Sequence, residues 1–406
     1  MYKIRFMPYR EGLATIMHRQ TPGHNLRSQD GRYEFCLDDS MEEADFWVVQ
    51  GKGVREVQTC RVAPENTILL TTEPHSVLVY PQRYIDQFGL VVSCQQQMRH
   101  RNVIYGPAIL PWFVGYKPNT APDKDTVPYI YTKDYDSLHP SLQEEIPHAL
   151  PSLQGEIPHA LPSLQGKIPH ALPSLQGKIP HALSSLQGEG SGVGSLPSKP
   201  KLLSVITSNK AFTRGHLDRI KFVEKLKAHF GDQIDIFGRG FRPFDDKWDV
   251  LYPYKYHIAI ENSSEPYYWT EKISDCYLTG TFPIYHGCTN LADYFSREAF
   301  EPIDIRRPEQ AISIIEQVIG QQRYEQSLPV LEAMKQRVLG EYNMFEYTAR
   351  LCDQMNPDAP KQQVSIYPCR SGMDWRNMMH YAFSQNYYKL LTKIHFLRYG
   401  NQLQSK

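Results

Sequence analysis

Between residues 137 and 194 one 11-residue unit, IPHALPSLQG followed by Glu or Lys, recurs in tandem, with Ile146, Ile157, Ile168 and Ile179 in equivalent places. Most units contain two prolines, and each proline removes a helix donor and clashes with the preceding turn. The period therefore cannot be satisfied by a continuous helix. Each unit also has too little apolar mass to build a core. The stretch ends in Gly190-Ser191-Gly192 and reads as a low-complexity linker, with a stacked solenoid or partner-binding array as the alternative. His148, His159, His170 and His181 recur with the unit, but their spacing matches no recognised chelate. A chain of 406 residues exceeds what one core usually fills. The repeats thus predict an N-terminal unit over 1–120, a linker over 121–200, a C-terminal unit over 201–358 and a tail over 359–406.

Both flanks of the repeat show short Val- and Ile-rich runs separated by helix-length intervals, the pattern of α/β layers with mainly parallel sheets. In the first flank the runs are 2–7, 46–49, 67–70, 90–93 and 103–105. In the second, strands are predicted over 202–207, 233–237, 256–261 and 281–285, with helices over 217–230, 271–278 and 308–319. That alternation marks a Rossmann-like nucleotide-binding unit.

Charge excludes some partners. Lys plus Arg equals Asp plus Glu at 44 each, so no global field favours nucleic acid, and any anion site has to be local. The seven cysteines are scattered without metal spacing and read as reduced thiols. The opening MYKIRFMPYREG lacks the apolar run of a secretion signal, and no stretch is long and apolar enough to span a bilayer, so a cytoplasmic protein is expected. The tail is rich in Lys and Arg. Its apolar Phe383, Tyr387, Leu390, Ile394 and Leu397 recur every three or four residues, giving an amphipathic helix that either docks on the body or touches a membrane surface.

The densest chemistry lies from His257 to Lys272. An apolar strand runs into Glu261 and Asn262, a turn presents Tyr267, Tyr268 and Trp269, and Thr270 can cap a helix that begins with Glu271 and Lys272. A strand's carboxyl end facing a helix amino terminus is where doubly wound folds hold anionic ligands, and the geometry suits a diphosphate. Lys272 in the first helical turn opposes the helix dipole unless an anion is near. A solvated lysine, an ordinary first-turn acid at Glu271 and a turn residue at Asn262 are the plain alternatives.

The string IAIENSSEPYYWTEKISDCYLTGTFPIYHG, residues 258–287, resembles the donor-binding signature of the glycosyltransferase family 10 α-1,3/1,4-fucosyltransferases. SNKAFTRGHLDRIKFVEKL resembles the family's segment carrying a diphosphate-binding arginine, placing that role on Arg219 rather than Arg214. ILLTTEPHS resembles the strand ending in a general base, placing that role on Glu73. The resemblance implies two Rossmann-like domains of GT-B type facing a cleft, and inverting transfer of fucose from GDP-fucose to an oligosaccharide hydroxyl in glycan or surface-polysaccharide synthesis. In that scheme Glu73 is the base, Arg219 and Lys272 meet the diphosphate, and Asn262, Tyr268 and Glu271 position the donor. No obligatory metal is implied, since the two DxD strings, Asp123-Lys124-Asp125 and Asp134-Tyr135-Asp136, do not follow apolar strands. The competing possibilities are another sugar nucleotide on the same fold, or a carbohydrate-binding scaffold without turnover.

Overall fold

The computed structural model describes residues 1–116 except 11, 38 and 39, residues 134–138, residues 199–372 except 210–212, and scattered positions between 379 and 394. The 11-residue repeats and most of the tail lie outside the described residues. In the amino-terminal half the strands are β1 (Tyr2–Met7), β2 (Tyr33–Cys36), β3 (Phe46–Gln50), β4 (Gln58–Val62), β5 (Thr67–Leu70), β6 (Leu90–Ser93) and β7 (Val103–Tyr105). All but β4 form one parallel sheet in the order β2-β1-β3-β5-β6-β7. β3, β5 and β6 are buried along their whole length, as expected of parallel strands covered on both faces.

In the carboxyl-terminal half, β8 (Lys201–Ile206), β9 (Ile234–Phe237), β10 (Tyr254–Ile260), β11 (Phe282–His286) and β12 (Glu301–Pro302) form a second parallel sheet in the order β12-β11-β10-β8-β9. The molecule is therefore a mixed α/β structure built on two parallel sheets. Helix Arg214–Phe230 begins three residues earlier than the sequence pattern suggests, because the Thr213 hydroxyl caps it by accepting from the His216 amide. Helix Glu271–Leu278 follows Thr270, whose side chain accepts from the Lys272 amide. The end of β5 puts Glu73 at the carboxyl edge of the first sheet, and the end of β10 puts Glu261 and Asn262 at the same edge of the second.

The chain then returns to its starting half. Asn343 caps helix Met344–Cys352, and Asn343 Nδ2 donates to the Gln20 carbonyl at 2.7 Å. Phe345 packs edge-on to Phe35 with ring centres 4.8 Å apart, and Asp353 accepts from both Arg32 and Tyr33. Strand β13 (Gln362–Ile366) pairs antiparallel with β4. By packing, residues 344–366 belong with the amino-terminal sheet, although sequence patterning assigns 344–358 to the carboxyl-terminal unit and 359–366 to the tail. Periodicity shows which face of a helix is apolar, not which layer it will cover.

Phe345 is fully buried, so Phe345→Ala is expected to cost about 3–5 kcal/mol in a denaturant titration. A loss below about 1 kcal/mol would mean that this helix does not fasten the chain's end to the first sheet.

Candidate active site

Glu261, at the end of β10, has a carboxylate with none of its surface exposed. It accepts from the Thr270 amide and hydroxyl, each at 2.9 Å, and from Lys272 Nζ at 2.8 Å. A buried charge is tolerable only when paired and hydrogen-bonded this fully. Room for it comes from Gly287, where a Cβ would lie 2.5 Å from both Glu261 Cγ and the Tyr285 hydroxyl. Sequence reasoning expects an anion beside Lys272. The structure supplies one from the protein itself, and a quarter of the Lys272 side chain remains exposed (26%).

A second ion cluster lies alongside. Lys247 Nζ meets Asp275 Oδ2 at 2.6 Å and Glu271 Oε1 at 3.4 Å, and stands over the Phe113 ring. Burial opposes the charge on Lys247, but Asp275 and Glu271 outweigh it and raise its pKa. Burial likewise works against ionised Glu271, yet Lys272 and Lys247 hold its pKa down at about 2. Asp275 also accepts from the Phe113 amide at 3.0 Å, and Asp246 from the Gly115 amide at 2.8 Å, so the cluster grips the chain leaving the first sheet. Sequence reasoning missed Lys247. The signal was present, for Lys247 follows the capping Asp246 into a first helical turn, the position that singled out Lys272.

Arg219 differs from both lysines. Its guanidinium donates to Asn262 Oδ1 at 3.1 Å and to Ser208 Oγ at 3.3 Å, both neutral, and burial lowers its pKa to about 10. Its Nε is buried with no partner among the described residues, as is the Thr207 hydroxyl nearby in the same lining. The indole Nε1 atoms of Trp47 and Trp269 likewise lack a partner among the described residues, so what distinguishes Arg219 is that its guanidinium lines the cavity on neutral partners. Arg214 is exposed, lies 3.7 Å from Asp218 and is not among the described residues lining the cavity.

Glu73, Arg219, Asn262, Glu271 and Lys272 line one cavity of about 470 Å³, together with Lys247, His257 and Asp275. Tyr268 stands behind this lining, buried against Cys94 and Ala108, and its hydroxyl donates to Glu73 Oε2 across a long 3.4 Å. Burial raises the Glu73 pKa to about 7; Lys272 opposes the rise, and Glu271 and Glu261 add to it. Gln95 Nε2 donates to the Glu73 carbonyl at 2.8 Å and fixes the backbone there. His257 is buried, with Nδ1 2.8 Å from Ser204 Oγ, and burial drives its pKa down to about 3, so it is neutral. The cavity thus combines, from opposite sheets, a carboxyl group that titrates near neutrality and a buried cation with no carboxylate partner. Such a set can take a proton from a hydroxyl and hold a phosphate.

Asp134 and Asp136 cluster with His24, their ligand atoms within 4.8 Å of one another. Asp134 pairs with His24 at 2.9 Å, Asp136 accepts from the Gly23 amide, and none of the three lines the cavity.

Residues 196–358 match the model of the glycosyltransferase family 10 (fucosyltransferase) C-terminal region. The chain is also similar to a 4-galactosyl-N-acetylglucosaminide 3-α-L-fucosyltransferase of Pongo pygmaeus, 32% identical over 81 residues. A 3-galactosyl-N-acetylglucosaminide 4-α-L-fucosyltransferase of Pan troglodytes is 31% identical over 81 residues. Each alignment covers 20% of this chain, and 21% and 20% of the respective relatives. Among solved structures, an α1,3-fucosyltransferase alone and the same enzyme class with GDP each align over 80% of the chain, and over 80% and 81% of their own, at 17% identity and a TM-score of 0.41.

Because the Cβ of an alanine at 287 would collide with Glu261, Gly287→Ala is expected to destabilise the protein by about 1–3 kcal/mol. Unchanged thermal unfolding would show that the Glu261 pocket yields without cost.

Proposed function

We propose that the protein is an inverting fucosyltransferase of GT-B architecture that moves L-fucose from GDP-fucose to an oligosaccharide hydroxyl in α-1,3 or α-1,4 linkage. The observation that carries this reading is Arg219, a buried cation with neutral partners and an unsatisfied Nε. It shares with Glu73 a cavity whose described lining, Glu73 and Val77 apart, falls within the matched segment 196–358. Uncompensated buried charge is unfavourable, and a nucleotide diphosphate would relieve it.

In this mechanism Glu73 takes the proton of the acceptor hydroxyl as its oxygen bonds to the anomeric carbon and the bond from that carbon to the diphosphate breaks. Arg219 meets the charge that develops on the departing GDP. Lys272 contributes beside it, held in position by Glu261. Lys247 orients Glu271 and Asp275 at the back of the cavity. Asn262 aims the Arg219 fork, and Tyr268 steers Glu73. The leaving-group charge is thus assigned to side chains, and transfer is expected to persist in excess chelator. The cellular setting we favour is the cytoplasm, in glycan or surface-polysaccharide synthesis. A peripheral membrane contact through the tail is supported by the exposed Met379, Phe383, Tyr387 and Leu390. Among the described residues no helix is long and apolar enough to cross a membrane.

The deciding experiment supplies GDP-fucose with lactosamine-type acceptors and measures GDP release and fucosylated product. Arg219→Gln removes the cation without stranding a carboxylate and is expected to lower transfer about 10²–10³-fold while the protein stays folded. Full transfer by this variant would remove Arg219 from the mechanism. A base must be ionised to act. With a folded pKa near 7, transfer by the unaltered protein should rise as pH increases through about 7 and fall below it. Glu73→Gln should lose that limb together with about 10²–10⁴ in rate, and a profile that kept the limb would point to another group.

A further inference from the structure

Among the described residues the non-glycine positions with positive φ are His24, Leu26, Tyr267 and Gln322. Tyr267 is the one of them whose neighbour in the chain reaches a group lining the cavity, for the Tyr268 hydroxyl donates to Glu73. Its φ of +65° is a conformation that glycine takes freely. A bulky side chain takes it only against steric resistance, and such outliers concentrate where the surrounding structure holds them for a purpose.

Two contacts hold this one. The Tyr267 amide donates to Asn290 Oδ1 at 2.8 Å, within the second half. The Tyr267 ring stacks on Tyr105, the last residue of β7 in the first half, with ring centres 6.0 Å apart and planes inclined by 24°. Tyr105 is itself fixed, since its hydroxyl donates to the Met98 carbonyl at 3.0 Å.

The next residue depends on this turn. A different φ at 267 would redirect the peptide that follows, so the left-handed conformation is what delivers Tyr268 against Cys94 and Ala108 of the first half. There the phenol is buried, with its hydroxyl 3.4 Å from Glu73 Oε2. A glycine at 267 could make the turn whatever the first half did. With tyrosine the turn draws on a ring that the first half supplies, so the contact to Glu73 depends on the halves being together.

We infer that Tyr105 and Tyr267 are positioning residues for the transfer: their stack across the two halves holds residue 267 left-handed and thereby sets the Tyr268 hydroxyl against Glu73. This rests on the reading of Glu73 as the base. A hydrogen bond to an ionised carboxylate stabilises it, so the Tyr268 bond opposes the rise in the Glu73 pKa. The other groups that act on Glu73 do not depend on the stack. Lys272, Glu271 and Glu261 come from the second half and are tied to one another through Thr270. Tyr9 and Cys94, from the first half, stay neutral, burial pushing each up to about 12.

The test measures kcat/KM against pH with GDP-fucose and a lactosamine-type acceptor. Tyr268→Phe keeps the ring and removes the donor, so the acid limb should move to higher pH. We expect about a threefold loss at a pH of about 6 and a loss that vanishes above about 8. Tyr105→Ala should show the same pH-dependent loss, and Tyr105→Phe, which keeps the stacked ring, should restore the unaltered profile. The Tyr105→Ala/Tyr268→Phe variant should lose no more than either single variant, because both act on one hydrogen bond. Retained GDP affinity in calorimetry reports that Tyr105→Ala is folded. If it is not, Tyr267→Ala removes the other ring of the stack and carries the same expectation. A loss equal at every pH, or losses that multiply in the double variant, would overturn the inference while leaving fucosyl transfer and its base intact. Absence of turnover, or an acid limb that survived Glu73→Gln, would instead overturn the reading of Glu73 as the base, and this inference with it.

Discussion

A carboxylate sealed from water, Glu261, ties the last residue of the central strand's path to the first turn of the helix that follows. It accepts from Thr270 twice and from Lys272 once, and Gly287 leaves the space it occupies. Removing one partner of such a pair leaves a buried charge, which is why the strand end, the cap, the lysine and the glycine have to be present together. Their joint presence sets the height of helix Glu271–Leu278 against the second sheet. That in turn fixes Glu271 and Asp275 against Lys247.

From this anchor the charges of the cavity fall into two kinds. Lys247 and Lys272 are neutralised within the protein, so they shape the field but leave little charge uncompensated. Arg219 is held by Asn262 and Ser208, neutral groups that orient it without discharging it. The division explains how a cavity with nearly balanced charge can still hold an anion at one place. It also accounts for the high pKa of Glu73, which is buried beside Glu271 and Glu261 and opposed only by Lys272 and the long hydrogen bond from Tyr268.

The halves meet through polar contacts as well as packing. Asp275 and Asp246 accept from backbone amides of Phe113 and Gly115, Tyr267 stacks on Tyr105, and the Tyr268 hydroxyl reaches Glu73. The returning helix Met344–Cys352 adds the buried Phe345 to the core of the first half. Glu73 and Arg219, separated by the whole repeat region, are brought to one cavity by these contacts.

Much of this was legible in the chain. Strands β1, β5, β6 and β7 follow from short apolar runs, and helix Glu271–Leu278 from its Thr270 cap, because these depend on local pattern and on hydrogen bonds between near neighbours. Lys272 stood out because a first-turn cation needs an anion, and the family resemblance separated Arg219 from Arg214. Strand β4 was not legible, since its QTCRV is half polar and its partner β13 lies some 300 residues away. Lys247 was overlooked, and the partner of Lys272 could not be chosen, because Glu261, Glu271 and a ligand phosphate would serve a first-turn lysine equally well on paper. By itself the sequence determined the two α/β patterns, the linker composition and the residue types at each strand end, all set by local periodicity and capping. Only the tertiary structure decided which charges cancel, which remain, and that Glu73 and Arg219 line one cavity, because those outcomes depend on distances and burial between segments remote in the chain.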